Sequence, residues 1–274
     1  MFISKIKKHL FLLYAFVQEK DTINQILKED DNSLNIIVSA FLELKTKNFS
    51  KVNKKKFEKC EDYRAELLKN NTIVSYKSLG LNKQIRVNDI CTQASSKPIW
   101  GQFLFLITNQ IDTPFFLELG TNLGVSGTYV LQSIKDKLKY KFITMEGVPK
   151  LCQIASKQFD TITKKYKIYK GLYSDTLPVL LSESIKFNII FIDGNHKKEP
   201  TLEYFYKLKS KLSDSAIIIF DDINWSWEMQ EVWDIVKKDN ITAYSIDFFK
   251  WGVIVCKNNI QNLSKSHYKL YLSY

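Results

Sequence analysis

Three short stretches carry residue types that could do chemistry. "FIDGNH" (191–196) ends an apolar run in Asp193 and adds His196 three residues later. "IIFDDINW" (218–225) ends another in Asp221 and Asp222. If the two runs are neighbouring strands, their ends bring three carboxylates together. Hard oxygen ligands of this kind suit Mg²⁺, and a metal-bound hydroxyl ionises more easily. Asp193, Asp221 and Asp222 are therefore the candidate metal set. His196 offers a second device, a neutral imidazole able to act as general base. Two plainer readings stay open. Asp221 and Asp222 would also serve as caps for a helix starting near Trp225, and His196 as a hydrogen-bonding residue that shapes its loop.

The third stretch is "FFLELGTNLGVSG" (115–127), which holds three of the chain's nine glycines directly after Glu118. Gly120 allows a tight turn with torsions other residues avoid. Gly124 would let a ligand approach the main chain, and Gly127 would let the following helix pack closely. The spacing is G-x-x-x-G-x-x-G, not the G-x-G-x-x-G of dinucleotide enzymes. "FITME" ends in Glu146, a carboxylate placed to accept hydrogen bonds from both ribose hydroxyls of a nucleoside. "YKGLYSDTLP" follows the next apolar run, where an adenine ring would lie. Trp225, Trp227, Phe248, Phe249 and Trp251 either wall an apolar acceptor pocket or are core and lid packing.

The elements that must position these residues are legible from residue 113 onward. "TPFFLEL", "YKFITME", "YKIYKG", "FNIIFID" and "SAIIIFDD" are near-continuous apolar runs, as in parallel strands buried on both faces. Helical stretches such as "VSGTYVLQSIKDKL" lie between them, so the pattern predicts a doubly wound α/β sheet. "ITAYSIDFF" and "WGVIVCK" are too close for a helical crossover and predict an antiparallel hairpin. Seven strands are expected in all. Residues 1–94 read as an N-terminal helical extension, 95–258 as the α/β domain and 259–274 as a tail. Within the extension, the basic stretch around Lys54-Lys55-Lys56 reads as a solvated turn.

The whole-chain numbers exclude little. A chain of 274 residues, 45% hydrophobic and 25% charged, is an ordinary globular protein. Its formal charge of +11 is spread over scattered lysines with no recognition motif, so no nucleic-acid partner is expected. Cys60, Cys91, Cys152 and Cys256 form no CxxC pair, which fits reduced thiols in a cytoplasmic protein. The apolar start "HLFLLYAFV" is followed by Gln18-Glu19-Lys20-Asp21 and is too short to span a bilayer. No stable membrane insertion is expected. The apolar stripes of the N-terminal helices need a surface, either the α/β domain or a partner in a homodimer.

Taken in order, these stretches resemble the class I S-adenosylmethionine-dependent methyltransferases. The resemblance is to the catechol O-methyltransferase-like group and bacterial relatives with a D-G-x-H motif, and covers roughly residues 95–257. "LELGTNLGVSG" resembles the first motif and "ITMEGVP" the ribose-binding strand end. "GLYSDTLP" falls where that family contacts adenine, and "FIDGNH" and "IIFDDINW" match its fourth and fifth strand ends. The resemblance implies a Rossmann-like fold and transfer of a methyl group from S-adenosylmethionine to an oxygen of a small-molecule acceptor. It implies that Glu118, Gly120, Thr121, Asn122 and Gly124 surround the cofactor and that Glu146 holds its ribose. Tyr173 and Ser174 would border the adenine, and Asp193 would belong to the cofactor-binding and catalytic sets together with His196. "SSKPIWGQFLFLI" resembles the segment entering the cofactor site, so that Trp100 and Gly101 either cover the ligand or pack in the core. In metal-dependent relatives the last ligand is usually Asn, where this chain has Asp222. Two rivals remain: a nicotinamide-dependent oxidoreductase, and a non-catalytic cofactor-binding module.

Overall fold

The computed structural model describes residues 2–257 and 265–272. In chain order the elements are α1 (Phe2–Lys28), α2 (Asn32–Thr46), α3 (Lys51–Leu68), β1 (Ile73–Ser75), β2 (Gln84–Arg86), α4 (Val87–Ala94) and α5 (Pro98–Gln110). Then come β3 (Phe115–Leu119), α6 (Val125–Ile134), β4 (Lys141–Glu146), α7 (Pro149–Asp160), β5 (Lys167–Lys170) and α8 (Tyr173–Ser182). The last are β6 (Phe187–Ile192), α9 (Lys198–Leu208), β7 (Leu212–Phe220), α10 (Trp227–Val236), β8 (Thr242–Asp247), β9 (Gly252–Lys257) and β10 (Ser266–Lys269). The chain divides into two compact units. A central unit spans Leu42–Ile185, and a terminal unit joins the chain up to Phe41 with the chain from Lys186 onward.

In the central unit β3, β4 and β5 pair in parallel. Phe116, Leu117 and Leu119 are fully buried, so β3 is covered on both faces as its apolar run predicts. Crossover helices α6 and α7 pack beside the strands, and Phe142 meets Phe159 edge-on with ring centroids 5.6 Å apart. β1 and β2 form a separate antiparallel pair. The lysine run lies inside α3, which corrects the expected turn. Ser50 caps that helix by accepting from the Asn53 N–H at 3.0 Å. Phe57, Cys60, Tyr63 and Leu67 fall at helical spacing on its buried side, leaving Lys54 and Lys55 outward while Lys56 pairs with Asp136 at 2.9 Å.

In the terminal unit β6 and β7 are parallel, and β9 pairs antiparallel with both β7 and β8. The expected hairpin is therefore β8–β9, and the seven expected strands are β3 to β9. β10 is an addition, parallel to β8. It lies within the expected 259–274 tail, of which residues 259–264, 273 and 274 are outside the described residues. Helix α1 packs in this unit, with Phe11 and Phe249 ring centroids 5.3 Å apart. Asp31 pairs with Lys257. No described helix is long and apolar enough to cross a membrane, and the four cysteines are buried free thiols.

Candidate active site

The glycine-rich turn of the central unit is tied to the end of β4. The N–H groups of Gly120 and Thr121 both donate to the Met145 carbonyl at 3.1 Å. Gly120, Asn122 and Gly124 have φ values of +107°, +50° and +77°, left-handed torsions that explain glycine and asparagine here. A Cβ on Gly124 would lie 2.9 Å from that of Ala155, and one on Gly127 would lie 2.6 Å from the Phe159 ring. Gly124 thus has the same duty as Gly127, close packing on α7, in addition to its turn. Tyr63 of α3 braces the turn from outside by donating to the Leu123 carbonyl at 2.6 Å.

Two acids flank the turn and do different work. Glu118 is fully buried. Its carboxylate accepts from the Ser126 hydroxyl and, at 2.7 Å, from the Thr144 hydroxyl, so it fastens β3, β4 and α6 to one another. Glu146 accepts from the Asn122 N–H and the Val148 N–H, both at 2.8 Å. Each of its oxygens has one of these bonds, and a carboxylate has about four acceptor sites. Acceptor capacity therefore remains for a ligand. Burial pushes its carboxyl above the ordinary value, while the N–H groups of Val148, Asn122 and Gly147 pull it partway back.

Glu146 borders a cavity of about 310 Å³ lined also by Ser78, Gly147, Lys170, Leu172 and Asp175. That volume is at the small end of ligand sites. Tyr173 and Ser174 begin α8 but do not line it; their neighbours Leu172 and Asp175 do. Ser78 belongs to the β1–β2 loop, which the sequence reading did not connect to the site. The same loop places Leu79 against Gly147, where a Cβ would lie 2.6 Å from Leu79 Cδ2. A nucleoside cofactor fits this chemistry. Glu146 has free acceptor capacity at a cavity, and Asn122 Oδ1 is buried without a hydrogen-bond partner, as a group awaiting a ligand donor would be. Trp100 and Gly101 serve packing. Trp100 is fully buried, and a Cβ on Gly101 would lie 2.4 Å from the Tyr129 ring.

The second cluster belongs to the terminal unit. The Asp221 N–H donates to the Ile192 carbonyl at 3.0 Å, which sets the ends of β6 and β7 side by side. His196 Nε2 lies 3.4 Å from Asp193 Oδ1. Ligand atoms of Asp193, His196 and Asp221 all fall within 4.8 Å of one another. Asp222 turns elsewhere, with φ +53° and its carboxylate 2.9 Å from Lys250 Nζ. Lys250 also bonds Asp221. The acids do not cap α10; Ser226 does, accepting from the Met229 N–H at 3.2 Å.

Burial, together with the negative charge of Asp193, pushes the Asp221 carboxyl up to about 7 against the pull of Lys250. Burial opposes the charge on His196, but Asp193, Asp221 and Asp222 outweigh it and raise its pKa. Lys250 behaves alike: burial opposes its charge, and Asp221 and Asp222 hold it protonated. The expected Mg²⁺ set therefore does not fit, because an ammonium already binds two of its three carboxylates. The remaining group includes a ring nitrogen, whereas Mg²⁺ takes oxygen ligands. The aromatic residues also divide. Phe248 and Trp251 are fully buried, while Trp225 and Trp227 are 75% and 70% exposed.

A glycine-rich turn after β3 and an acid closing β4 beside a cavity have the chemistry of a site for a nucleoside-bearing cofactor. Residues 117–223 match the family model described as a methyltransferase domain. The fold is similar to that of a Bacillus cereus O-methyltransferase in complex with SAH, at 18% identity and TM-score 0.51, covering 61% of this chain and 84% of that one. It is similar to an SAH-bound Podospora anserina methyltransferase at 15% identity and TM-score 0.54, covering 81% and 94%. It also resembles a Streptomyces achromogenes O-methyltransferase of tomaymycin synthesis in complex with SAM, at 14% identity and TM-score 0.52, covering 77% and 92%. No curated protein matches the chain.

Proposed function

We propose that this protein moves a methyl group from S-adenosylmethionine to an oxygen of a small-molecule acceptor. The observation that carries the reading is Glu146: a buried carboxylate at a strand end, fixed by two backbone N–H groups, with acceptor capacity left at a cavity. The match of residues 117–223 to a methyltransferase domain supports it. So do the SAH- and SAM-bound neighbours, two of them named O-methyltransferases. The G-x-x-x-G-x-x-G turn argues against a nicotinamide enzyme.

When bound, the cofactor supplies an activated methyl on a good leaving group. The chain's own residues hold and orient. Glu146 accepts from the ribose hydroxyls, Asn122 Oδ1 from a donor on the amino-acid part, and Ser78, Leu172 and Asp175 border the base. Gly120, Thr121 and Gly124 shape the turn, and Glu118 braces it; Tyr173 and Ser174 lie at the rim. His196 is the base. With Nε2 facing Asp193, its Nδ1 takes the acceptor hydroxyl's proton, and Asp193 orients the ring.

Residues 95–258 are the methyltransferase domain of this reading, with 1–94 as its extension and 259–274 as its tail. The buried free cysteines support a cytoplasmic location. Leu10, Leu13, Tyr14 and Val17 form an exposed apolar stripe on α1 that supports a homodimer. The scattered charge argues against a nucleic-acid partner. The test is calorimetry with S-adenosylhomocysteine beside NADH, followed by transfer of labelled methyl across a hydroxyl-acceptor panel. Binding of NADH alone would overturn the reading. Homocysteine-adduct binding without turnover on any acceptor would favour the non-catalytic module.

A further inference from the structure

We infer that Lys250 is the resident cation of the Asp193–Asp221–Asp222 cluster, and that its ammonium keeps divalent metal ions out. Any part Lys250 takes in catalysis rests on the proposed methyl transfer; the exclusion of metal does not.

The lysine is built into its place. It sits in the β8–β9 turn between Phe248 and Trp251, both fully buried. That turn is closed by the Phe248 N–H donating to the Trp251 carbonyl at 2.8 Å. It is further held by the Phe249 N–H donating to Asp247 Oδ1 at 2.7 Å. Two bonds clamp it to the loop after β7: Ile223 N–H to the Lys250 carbonyl at 3.0 Å, and Asn224 Nδ2 to the Phe249 carbonyl at 2.7 Å. Phe249 is driven to φ +69° to make this turn, a torsion a bulky residue takes only under constraint. The backbone of Lys250 therefore cannot swing clear of the acids without undoing both clamps.

Its ammonium occupies the oxygens a metal would need. Nζ bonds one oxygen of Asp221 and lies 2.9 Å from Oδ1 of Asp222. A Mg²⁺ ion must approach its oxygen ligands to about 2.0–2.1 Å and sit nearly octahedrally. Bound to the same two oxygens, it would face a positive charge a few ångströms away, in a setting with little water to screen it. Only 22% of the lysine side chain and 8% of that of Asp221 are exposed. An ammonium has three donors, and two go to Asp221 and Asp222. The third can donate to an acceptor oxygen as its proton leaves, which is the stabilisation a metal ion would otherwise supply.

Mn²⁺, a paramagnetic stand-in for Mg²⁺, tests this directly. The full-length protein is titrated with Mn²⁺ and the free ion followed by electron paramagnetic resonance. Wild type should bind none at millimolar ion. Lys250→Met, which keeps the apolar stem and removes the charge, should gain a site, and Lys250→Met with Asp221→Asn should lose it again. Lys250→Gln repeats the measurement if the Met variant lacks a cooperative melt. Sub-millimolar Mn²⁺ binding by wild type that Asp221→Asn abolishes would overturn the inference. So would failure of both folded Lys250 variants to gain a site. In the methyl-transfer assay, turnover should survive a chelator in wild type; loss on chelation with return on Mg²⁺ refutes a catalytic role for Lys250 in place of a metal. If no acceptor is turned over at all, the methyl-transfer reading suffers while the Mn²⁺ results still decide the inference.

Discussion

Replacing Glu146 with alanine removes two kinds of bond at once, and the structure gives the size of each. The carboxylate satisfies the Asn122 and Val148 N–H groups at 2.8 Å. A buried donor left unpaired costs about 1–3 kcal/mol. Because Glu146 borders a cavity, water can reach part of the vacated space and the low end applies, or about 2 kcal/mol for the pair. For a chain of this size that lowers the melting temperature by roughly 4–8 °C. Ligand binding loses separately. A hydrogen bond to a charged group is worth about 1.5–3 kcal/mol, so affinity for S-adenosylhomocysteine should fall roughly ten- to a hundredfold. Calorimetry on the folded variant beside a thermal melt reads both. Glu146→Gln is the informative control. Its amide must set an N–H donor against one of the two backbone donors, so it should melt early as well. A variant with wild-type melting and wild-type affinity would remove Glu146 from the site.

Three further outcomes follow from the same geometry. Gly101→Ala puts a Cβ 2.4 Å from the Tyr129 ring; overpacking of this kind costs about 1–3 kcal/mol, and an unchanged melt would contradict the close α5–α6 contact. Tyr63→Phe deletes the bond to the Leu123 carbonyl and should cost about 0.5–1.5 kcal/mol, with a modest loss of cofactor affinity because the turn loses its outer brace; an effect on neither would detach α3 from the site. Cofactor affinity should fall on acidification, since the ionised Glu146 is the acceptor and burial raises its pKa above the ordinary value. The loss therefore begins at higher pH than an exposed glutamate would titrate, and an affinity flat down to the ordinary carboxylate range would refute that assignment.

What could be read without coordinates was what is written locally. β3 to β9 announce themselves because strands covered on both faces are apolar runs, and Gly120 and Glu146 because a turn and a strand end concentrate special residues. β1, β2 and β10 have three or four residues each, too few for a period to show. α3 is masked because its lysines dilute the apolar pattern of Phe57, Cys60, Tyr63 and Leu67, whose spacing is the helical signal. Lys250 had no local mark at all. Its meaning comes from Asp221 and Asp222, nearly thirty positions back, and from a turn fixed by Ile223 and Asn224. Ser78 was missed for the same reason: only the folded β1–β2 loop brings it to the cavity.

The terminal unit is made from both ends of the chain, and this orders events during synthesis. Glu29 of the α1–α2 corner accepts from Ser266 at 2.8 Å and from Tyr268, partners 237 and 239 residues later. Emerging from the ribosome, the α1–α2 corner must wait for partners 237 and 239 residues further on, while residues 42–185 can collapse first around contacts already made. During that interval the apolar side chains that α1 buries in the folded protein are bare, Ala15 and Ile26 among them. Loop closure over such a span is slow, so β10 acts as the latch of α1. A nascent chain stalled before Ser266 would present that helix to whatever chaperone or neighbouring chain reaches it.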